Sequence, residues 1–345
     1  MPELITIADI AARAGVSTRM VSEALNGKTK GVRRDALERA ERIRGIARRM
    51  GYRPNATATV LRTGRFGAIA LLTGSRAPEY LPGELVFAAD REFARHGEHL
   101  LFARVGDDQL TSDAYVPKAL ETWCADGLLI YYTHRFPPAM SALIDRHRIP
   151  SVWVNTRRDH DCVYLDDFDA ALGMTRRMIE AGHRRVAYVH LFCDGHYSDA
   201  DRRGGYEAAM KKAGLAPRCV EASLDRHARG TPSDGRFALA DAMLEGPDRP
   251  TAVLAYDLAA AGPVMHAAAR RGLDVPADLS LAVFGRMYRN DTGVPLTTLS
   301  DDLENVGEIA ARRIREKIAD PATPLPPTAV ALDVLDGGSV APPRH

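Results

Sequence analysis

The chain has 345 residues, 46% of them hydrophobic and 26% charged, with a formal net charge of +1; that length suits two or three globular domains, and the composition excludes a disordered or fibrous protein. No apolar run approaches the roughly 18 residues of a membrane span, and Glu3 and Asp9 interrupt any signal-like start, so a cytoplasmic, non-membrane protein is expected. Cys124, Cys162, Cys193 and Cys219 lie far apart and form no CxxC pair, which favours reduced thiols over a disulfide framework or a zinc site.

The charge is uneven. Residues 1–64 hold 13 Lys/Arg against 6 Asp/Glu, a net +7, and the remainder is net −6. A basic head on an acidic body suggests a polyanionic partner for the head. Thr6 precedes Ile7, Ile10, Ala11 and Ala14 at helical spacing and can cap that helix, with Asp9 in its first turn. Gly15 fits the left-handed position that ends a helix, and Ser17 can cap the next. Gly15-Val16-Ser17 is therefore the three-residue turn of a helix-turn-helix. The second helix places Val21, Ala24 and Leu25 on one side and Thr18, Arg19, Ser22, Glu23 and Asn26 on the other. The second set has the short, hydrogen-bonding side chains that a major groove admits, although a solvated stripe would look similar. A third helix is expected from about Arg34 to Met50, with Leu37, Ala40, Ile43, Ala47 and Met50 facing the core and many arginines outside. After Gly51, Pro54 suits a first helical turn, and Asn55 to Leu61 can form two turns before Gly64, too short to be stable unaided.

"TIADIAARAGVSTRMVSEALNG", "GYRPN" and "LRTG" resemble the LacI/GalR family of bacterial transcription regulators. The resemblance implies a recognition helix in the major groove and a hinge helix in the minor groove, paired with its twin from a second subunit and wedging Leu61 into a base step. By position it implies base reading by Thr18, Arg19 and Glu23, phosphate contacts from Thr6, Ser17, Ser22, Asn26 and Tyr52, and hinge contacts from Asn55, Ala58 and Leu61. Two features depart from the family pattern. Glu23 stands where an arginine is usual, so a different operator is expected, because a carboxylate accepts from cytosine whereas arginine reads guanine. The stretch from Val32 to Tyr52 is also about three residues long for the family, roughly one helical turn.

Beyond residue 66 apolar runs alternate with helical patterns. Strands are expected at 68–72, 99–105, 127–132 and 151–155, with helices at Gly83–His96, Tyr115–Trp123 and Pro138–His147 between them. The rhythm restarts with strands at 186–192, 251–256 and 279–285 and helices near Asp167–Ala181, Asp201–Ala213, Arg236–Leu244 and Asp257–Arg271. Near-continuous apolar strands alternating with helices imply two α/β lobes built on parallel sheets, with ligands outside the carboxyl ends of the strands.

"DDFDAALGMTRRMIEAGHRRVAYV", "RRGGYEAAM", "PTAVLAYDLAAAG" and "VPADLSLAVFG" are similar to the family's periplasmic-binding-protein-like core, which holds a small-molecule effector between its lobes. The resemblance implies a headpiece at 1–52, a hinge at 53–65 and a core at 66–341. Lobe 1 would then be 66–157 and 290–322, and lobe 2 161–285 and 326–341, with crossings near Asn155–Leu165, Phe284–Thr298 and Thr323–Thr328. It implies effector contacts from Arg202 and Asp257, for which helix-start chemistry is the alternative reading. Asn155 is expected to face the cleft, and Phe192, Tyr256 and Tyr288 either stack on a ligand or fill the core. A forked guanidinium, a carboxylate and an amide suit a sugar-like polyol first and a purine second. Gly285 takes the place of an acidic residue usual near that cleft.

Other chemistries find little support. His190-x-x-Cys193-x-x-His196 matches no established metal spacing, "RRGGY" lacks the spacing of a nucleotide loop, and neither GxSxG nor HExxH occurs. The expectation is a non-enzymatic, cofactor-free repressor that binds double-stranded operator DNA as a homodimer under control of a small effector. The tail "GGSVAPPRH" has no heptads to build a tetramer. The alternative is a cytoplasmic solute-binding module without operator-specific DNA binding.

Overall fold

The structure is a computed structural model that describes residues 5–25, 34–53, 60, 63–74, 81–105, 112–116, 124–131, 136–191, 195–222, 234–285 and 295–344. It divides into two compact units, Met1–Phe66 and Gly67–His345.

The first unit contains α1 (Ile7–Ala14), α2 (Thr18–Leu25) and α3 (Arg34–Arg49). Thr6 caps α1 in a reciprocal box, its hydroxyl accepting from the Asp9 amide while Asp9 accepts from the Thr6 amide at 2.8 Å. Gly15, at φ 67°, ends α1 in the left-handed conformation. Ser17 Oγ then accepts from the Met20 amide at 3.3 Å and starts α2. Ile10, Ala11, Val21, Ala24, Ala40, Ile43 and Ala47 close a small core, and Arg44 Nε donates to the Ala24 carbonyl at 2.9 Å. Leu37, expected in that core, is 42% exposed, because the buried stripe of α3 begins a turn later at Ala40. Most of the expected hinge helix falls outside the described residues.

The second unit holds two six-stranded sheets, ordered β11-β5-β4-β3-β1-β2 and β12-β10-β9-β8-β6-β7. In the first sheet are β1 (Ala68–Gly74), β2 (His99–Val105), β3 (Gly127–Tyr131), β4 (Ser151–Val154), β5 (Cys162–Leu165) and β11 (Thr328–Val330). Helices α4 (Gly83–Ala94) and α5 (Pro138–His147) connect its early strands. The second sheet contains β6 (Val186–His190), β7 (Arg218–Glu221), β8 (Ala252–Ala255), β9 (Ser280–Phe284), β10 (Thr297–Ser300) and β12 (Asp333–Leu335). Its helices are α6 (Asp167–Glu180), α7 (Tyr197–Lys212), α8 (Asp234–Met243) and α9 (Leu258–Arg270), while α10 (Leu303–Ala319) returns to pack on the first sheet. Strand pairing is parallel except between β10 and β12. Apolar side chains fill both faces of each sheet, as parallel sheets require.

Sheet membership moves the chain crossings later than expected. They lie between β5 and α6, between β10 and α10, and between β11 and β12, just past the ends of the expected Asn155–Leu165, Phe284–Thr298 and Thr323–Thr328. Lobe 1 therefore keeps β5, while β10 joins lobe 2. The strand β10 is all hydroxyls but for one leucine, and it is buried because those hydroxyls find acceptors: Thr298 Oγ1 donates to the Leu296 carbonyl and Thr297 Oγ1 to Asp336. Glycine lets helices meet closely in each lobe. A Cβ on Gly205 of α7 would lie 2.1 Å from the Phe168 carbonyl oxygen of α6, and one on Gly307 of α10 would lie 2.3 Å from that of Leu85 in α4. The paired glycines of "RRGGY" are thus explained by helix packing.

Candidate functional site

On the first unit, α2 buries Val21 and Ala24 and leaves Thr18, Arg19 and Glu23 exposed, with Ser22 half-buried beside them. Arg19 and Glu23 are one helical turn apart and form an ion pair at 3.0 Å, their side chains 87% and 50% exposed. The carboxylate at the departing position is therefore not isolated: it partly neutralises the arginine next to it. Thr6 and Ser17 are exposed caps, and the half-buried Tyr52 donates its amide to the Ala47 carbonyl. Asn26, Asn55, Ala58 and Leu61 lie outside the described residues.

In the second unit the lobes meet at the carboxyl ends of β3 and β4 on one side and of β6, β8 and β9 on the other, where open α/β sheets place ligands. Asn155, just past β4, has φ 56°, a left-handed conformation that asparagine tolerates. Its Nδ2 donates to the Tyr131 hydroxyl at 3.2 Å, its Oδ1 is 3.4 Å from the Tyr197 hydroxyl, and its carbonyl accepts from His196 at 3.0 Å. Tyr197 also accepts from the Leu165 amide at 3.0 Å, and burial raises its pKa. Arg157 of lobe 1 grips both carboxylate oxygens of Asp201 in α7, at 2.7 and 2.8 Å.

Arg202 is braced within lobe 2, its side chain 13% exposed. Its Nε donates to Asp167 at 2.7 Å and its Nη1 to the Tyr256 carbonyl at 2.6 Å. The Tyr256 ring covers one face of the guanidinium at 4.5 Å and the Phe284 ring approaches at 4.2 Å. Burial is the largest single influence and opposes the charge, but the Asp167 carboxylate, Tyr256 and Tyr188 together outweigh it and raise the pKa. His190 lies against the Tyr256 ring at 3.6 Å, inclined 17°, so Tyr256 carries an imidazole as well as the guanidinium. That crowding leaves its flat surface poorly placed to stack on a ligand. Asp257 is the N-cap of α9, its Oδ1 accepting from the Ala260 amide at 2.8 Å, which is the helix-start alternative. Phe192 and Tyr288 lie outside the described residues. Gly285 has φ 110°, a backbone that disfavours any residue with a Cβ, and this accounts for a glycine where an acid is usual.

Sequence reasoning missed Asp167, Phe284, Ser198 and Tyr197. Asp167 and Phe284 sit far from Arg202 in the chain, so no local pattern pairs them with it. The two histidines of the His-x-x-Cys-x-x-His stretch have separate places, His190 on Tyr256 and His196 at the start of α7, and Cys193 is outside the described residues. Among the described residues no group of three or more His, Cys, Asp or Glu is placed to hold a metal ion, and no helix is long and apolar enough to cross a membrane.

Comparison with known proteins adds two matches along the chain: residues 6–55 match the bacterial regulatory proteins of the lacI family, and residues 175–340 match a periplasmic binding protein-like domain. The HTH-type transcriptional repressor PurR of Erwinia tasmaniensis is 30% identical over 326 residues, spanning 91% of both chains. The chain belongs to the LacI family. PurR of Escherichia coli is 28% identical over 92% of this chain and 91% of its own. In fold, this LacI-family chain is similar to a Lac repressor dimer bound to operator and an anti-inducer, with a TM-score of 0.78, 20% identity and coverage of 98% of this chain and 100% of the other. It is also similar to the CelR regulator in complex with cellobiose, with a TM-score of 0.63, 21% identity and coverage of 97% and 99%. As a LacI-family member it is a DNA-binding transcriptional regulator with an effector-binding core.

Proposed function

We propose that the chain is a repressor that binds a two-fold symmetric operator as a homodimer and is controlled by a small effector held between its lobes. The observation that carries this reading is the exposed polar face of α2, presented by a capped helix-turn-helix on the +7 head. Thr18, Arg19 and Glu23 read bases, Thr6, Ser17, Ser22, Asn26 and Tyr52 meet phosphates, and Asn55, Ala58 and Leu61 act in the minor groove. The dimer is supported by an apolar surface on lobe 1, where Phe87 of α4 is 72% exposed and Phe102 of the edge strand β2 is 55% exposed. The protein would act on the nucleoid in the cytoplasm.

For the effector, a hydroxyl-rich, sugar-like ligand comes first. The cleft is walled by the polar residues Asn155, Asp257 and Arg202, which already bond within the protein and whose remaining hydrogen-bonding capacity suits hydroxyls, while the Tyr256 ring is stacked on His190. A purine comes second. The effector acts by preferring one arrangement of the lobes; equal affinity for both would shift nothing.

The test is selection of genomic fragments by the full-length protein, followed by footprinting at two salt concentrations. A palindromic, salt-sensitive footprint is expected, weakened strongly by Leu61→Ala. A monomer that ignores every duplex at low salt overturns the reading. A thermal-shift panel of sugars, nucleosides and bases then decides the effector class.

A further inference from the structure

One unbroken line of hydrogen bonds joins the two walls of the cleft. The Tyr256 hydroxyl, just past β8, lies 2.7 Å from Ser198 Oγ. Ser198 Oγ lies 2.7 Å from His196 Nδ1, and His196 Nε2 lies 3.0 Å from the Asn155 carbonyl oxygen. Asn155 Nδ2 then donates to the Tyr131 hydroxyl at 3.2 Å. Tyr256, Ser198 and His196 belong to lobe 2, and Asn155 and Tyr131 to lobe 1, so the bond between His196 and Asn155 is the one that crosses.

The far end of this line sets its direction. A carbonyl oxygen only accepts, so His196 Nε2 carries a proton. His196 is also the N-cap of α7, where the Ser198 amide points at Nδ1 from 3.4 Å and the positive end of the helix dipole disfavours a second cation. Nδ1 is then the acceptor, and the ring is the neutral Nε2–H tautomer. Ser198 spends its proton on Nδ1, which leaves its oxygen to accept from Tyr256. Tyr197 steadies the imidazole from the side, its ring centroid 4.4 Å away.

We propose that His196, as a neutral Nε2–H imidazole, is a positioning residue that ties the Tyr256 wall of lobe 2 to the Asn155 carbonyl of lobe 1. A ligand that engages the Tyr256 hydroxyl acts on the first bond of a line whose crossing bond joins the lobes. That regulatory consequence rests on the effector reading of this cleft; the tautomer and the tie do not.

The test uses the full chain without effector or DNA. Glutamine can imitate this tautomer, its amide nitrogen donating to Asn155 and its amide oxygen accepting from Ser198, whereas alanine can do neither. In His196→Ala, amide hydrogen exchange at Asn155 to Arg157 is expected to quicken roughly fivefold, the factor that one lost hydrogen bond carries. His196→Gln should stay within about twofold of the parent, because both bonds are kept. Nitrogen-15 histidine spectra of the parent should contain a neutral Nε2–H ring whose signals vanish in His196→Gln. Equal exchange in the parent and the alanine variant overturns the proposal, as does glutamine behaving like alanine. If His196→Ala does not fold, the spectrum decides, and an Nδ1–H or doubly protonated His196 overturns it. Failure here would leave the effector reading standing, whereas a ligand panel with no response would sink that reading and leave the tie intact.

Discussion

Arg202→Ala separates a ligand-gripping arginine from a framework one. The Arg202 side chain is 13% exposed and that of its partner Asp167 1%, so alanine would strand a carboxylate in the interior. Removing one member of a buried pair costs about 3–5 kcal/mol. The lost stacking on Tyr256 and Phe284 adds about 1–2 kcal/mol, partly overlapping the first figure. A net loss of about 4 kcal/mol, at about 2 °C per kcal/mol for a unit of this size, lowers the melting temperature by about 8 °C with no ligand present. Calorimetric melting of the full chain reads this directly. The double variant Arg202→Met/Asp167→Leu should regain most of the loss, because apolar replacement of both partners leaves no buried charge. Suppose instead that Arg202→Ala melts within about 1 °C of the parent and loses only its response to ligand. The arginine would then be a ligand contact, and the framework account would be wrong.

Gly205→Ala should destabilise lobe 2 by about 1–3 kcal/mol, since its Cβ would sit 2.1 Å from the Phe168 carbonyl, while Gly204→Ala, which meets only the Phe168 ring at 3.3 Å, should cost less; equal melting of the two would refute the close-packing argument. Glu23→Arg removes the exposed pair with Arg19, so stability should barely move, but base preference at one position of each half-site should shift toward guanine by about 1–3 kcal/mol in a binding selection; an unchanged motif would remove Glu23 from the bases. His183, held among Thr251, Ser280 and the Ala341 carbonyl, has its pKa lowered by burial, the bond to that carbonyl opposing in part. The unfolded chain therefore takes up the proton first as pH falls, so this contribution is complete above the unfolded value of about 6.5 and is lost as pH drops through the lower folded value. His183→Asn should flatten that limb relative to the parent in denaturant titrations, and identical slopes would count against it.

What the sequence disclosed follows the range of the interactions involved. The capping box of Thr6 and Asp9, the left-handed Gly15 and the Ser17 cap all act within four residues, and each is in place. Strands buried on both faces show as apolar runs, so β1, β3, β6, β8 and β9 were legible. The strands β5 and β7 are four residues each, and β10 hides its burial behind threonine and serine. Which lobe owns such a strand depends on partners more than a hundred residues away, as when β11 joins β5. That is why the crossings were expected too early.

The cleft shows the same limit in its chemistry. Arg202 and Asn155 were recognisable as polar residues at a family position, but their employment was not. Arg202 is committed to Asp167, 35 positions earlier, and to a carbonyl 54 positions later. Asn155 spends its carbonyl on His196, 41 positions on. A guanidinium or an amide in a sequence announces what it can donate or accept; only the fold determines how much of that capacity is left for a ligand. Arg202 commits two of its five N–H donors, one to Asp167 and one to the Tyr256 carbonyl, and so holds Tyr256 and the start of α6 in register; the Arg202→Ala melting and ligand-response experiment decides whether the same arginine also selects the effector.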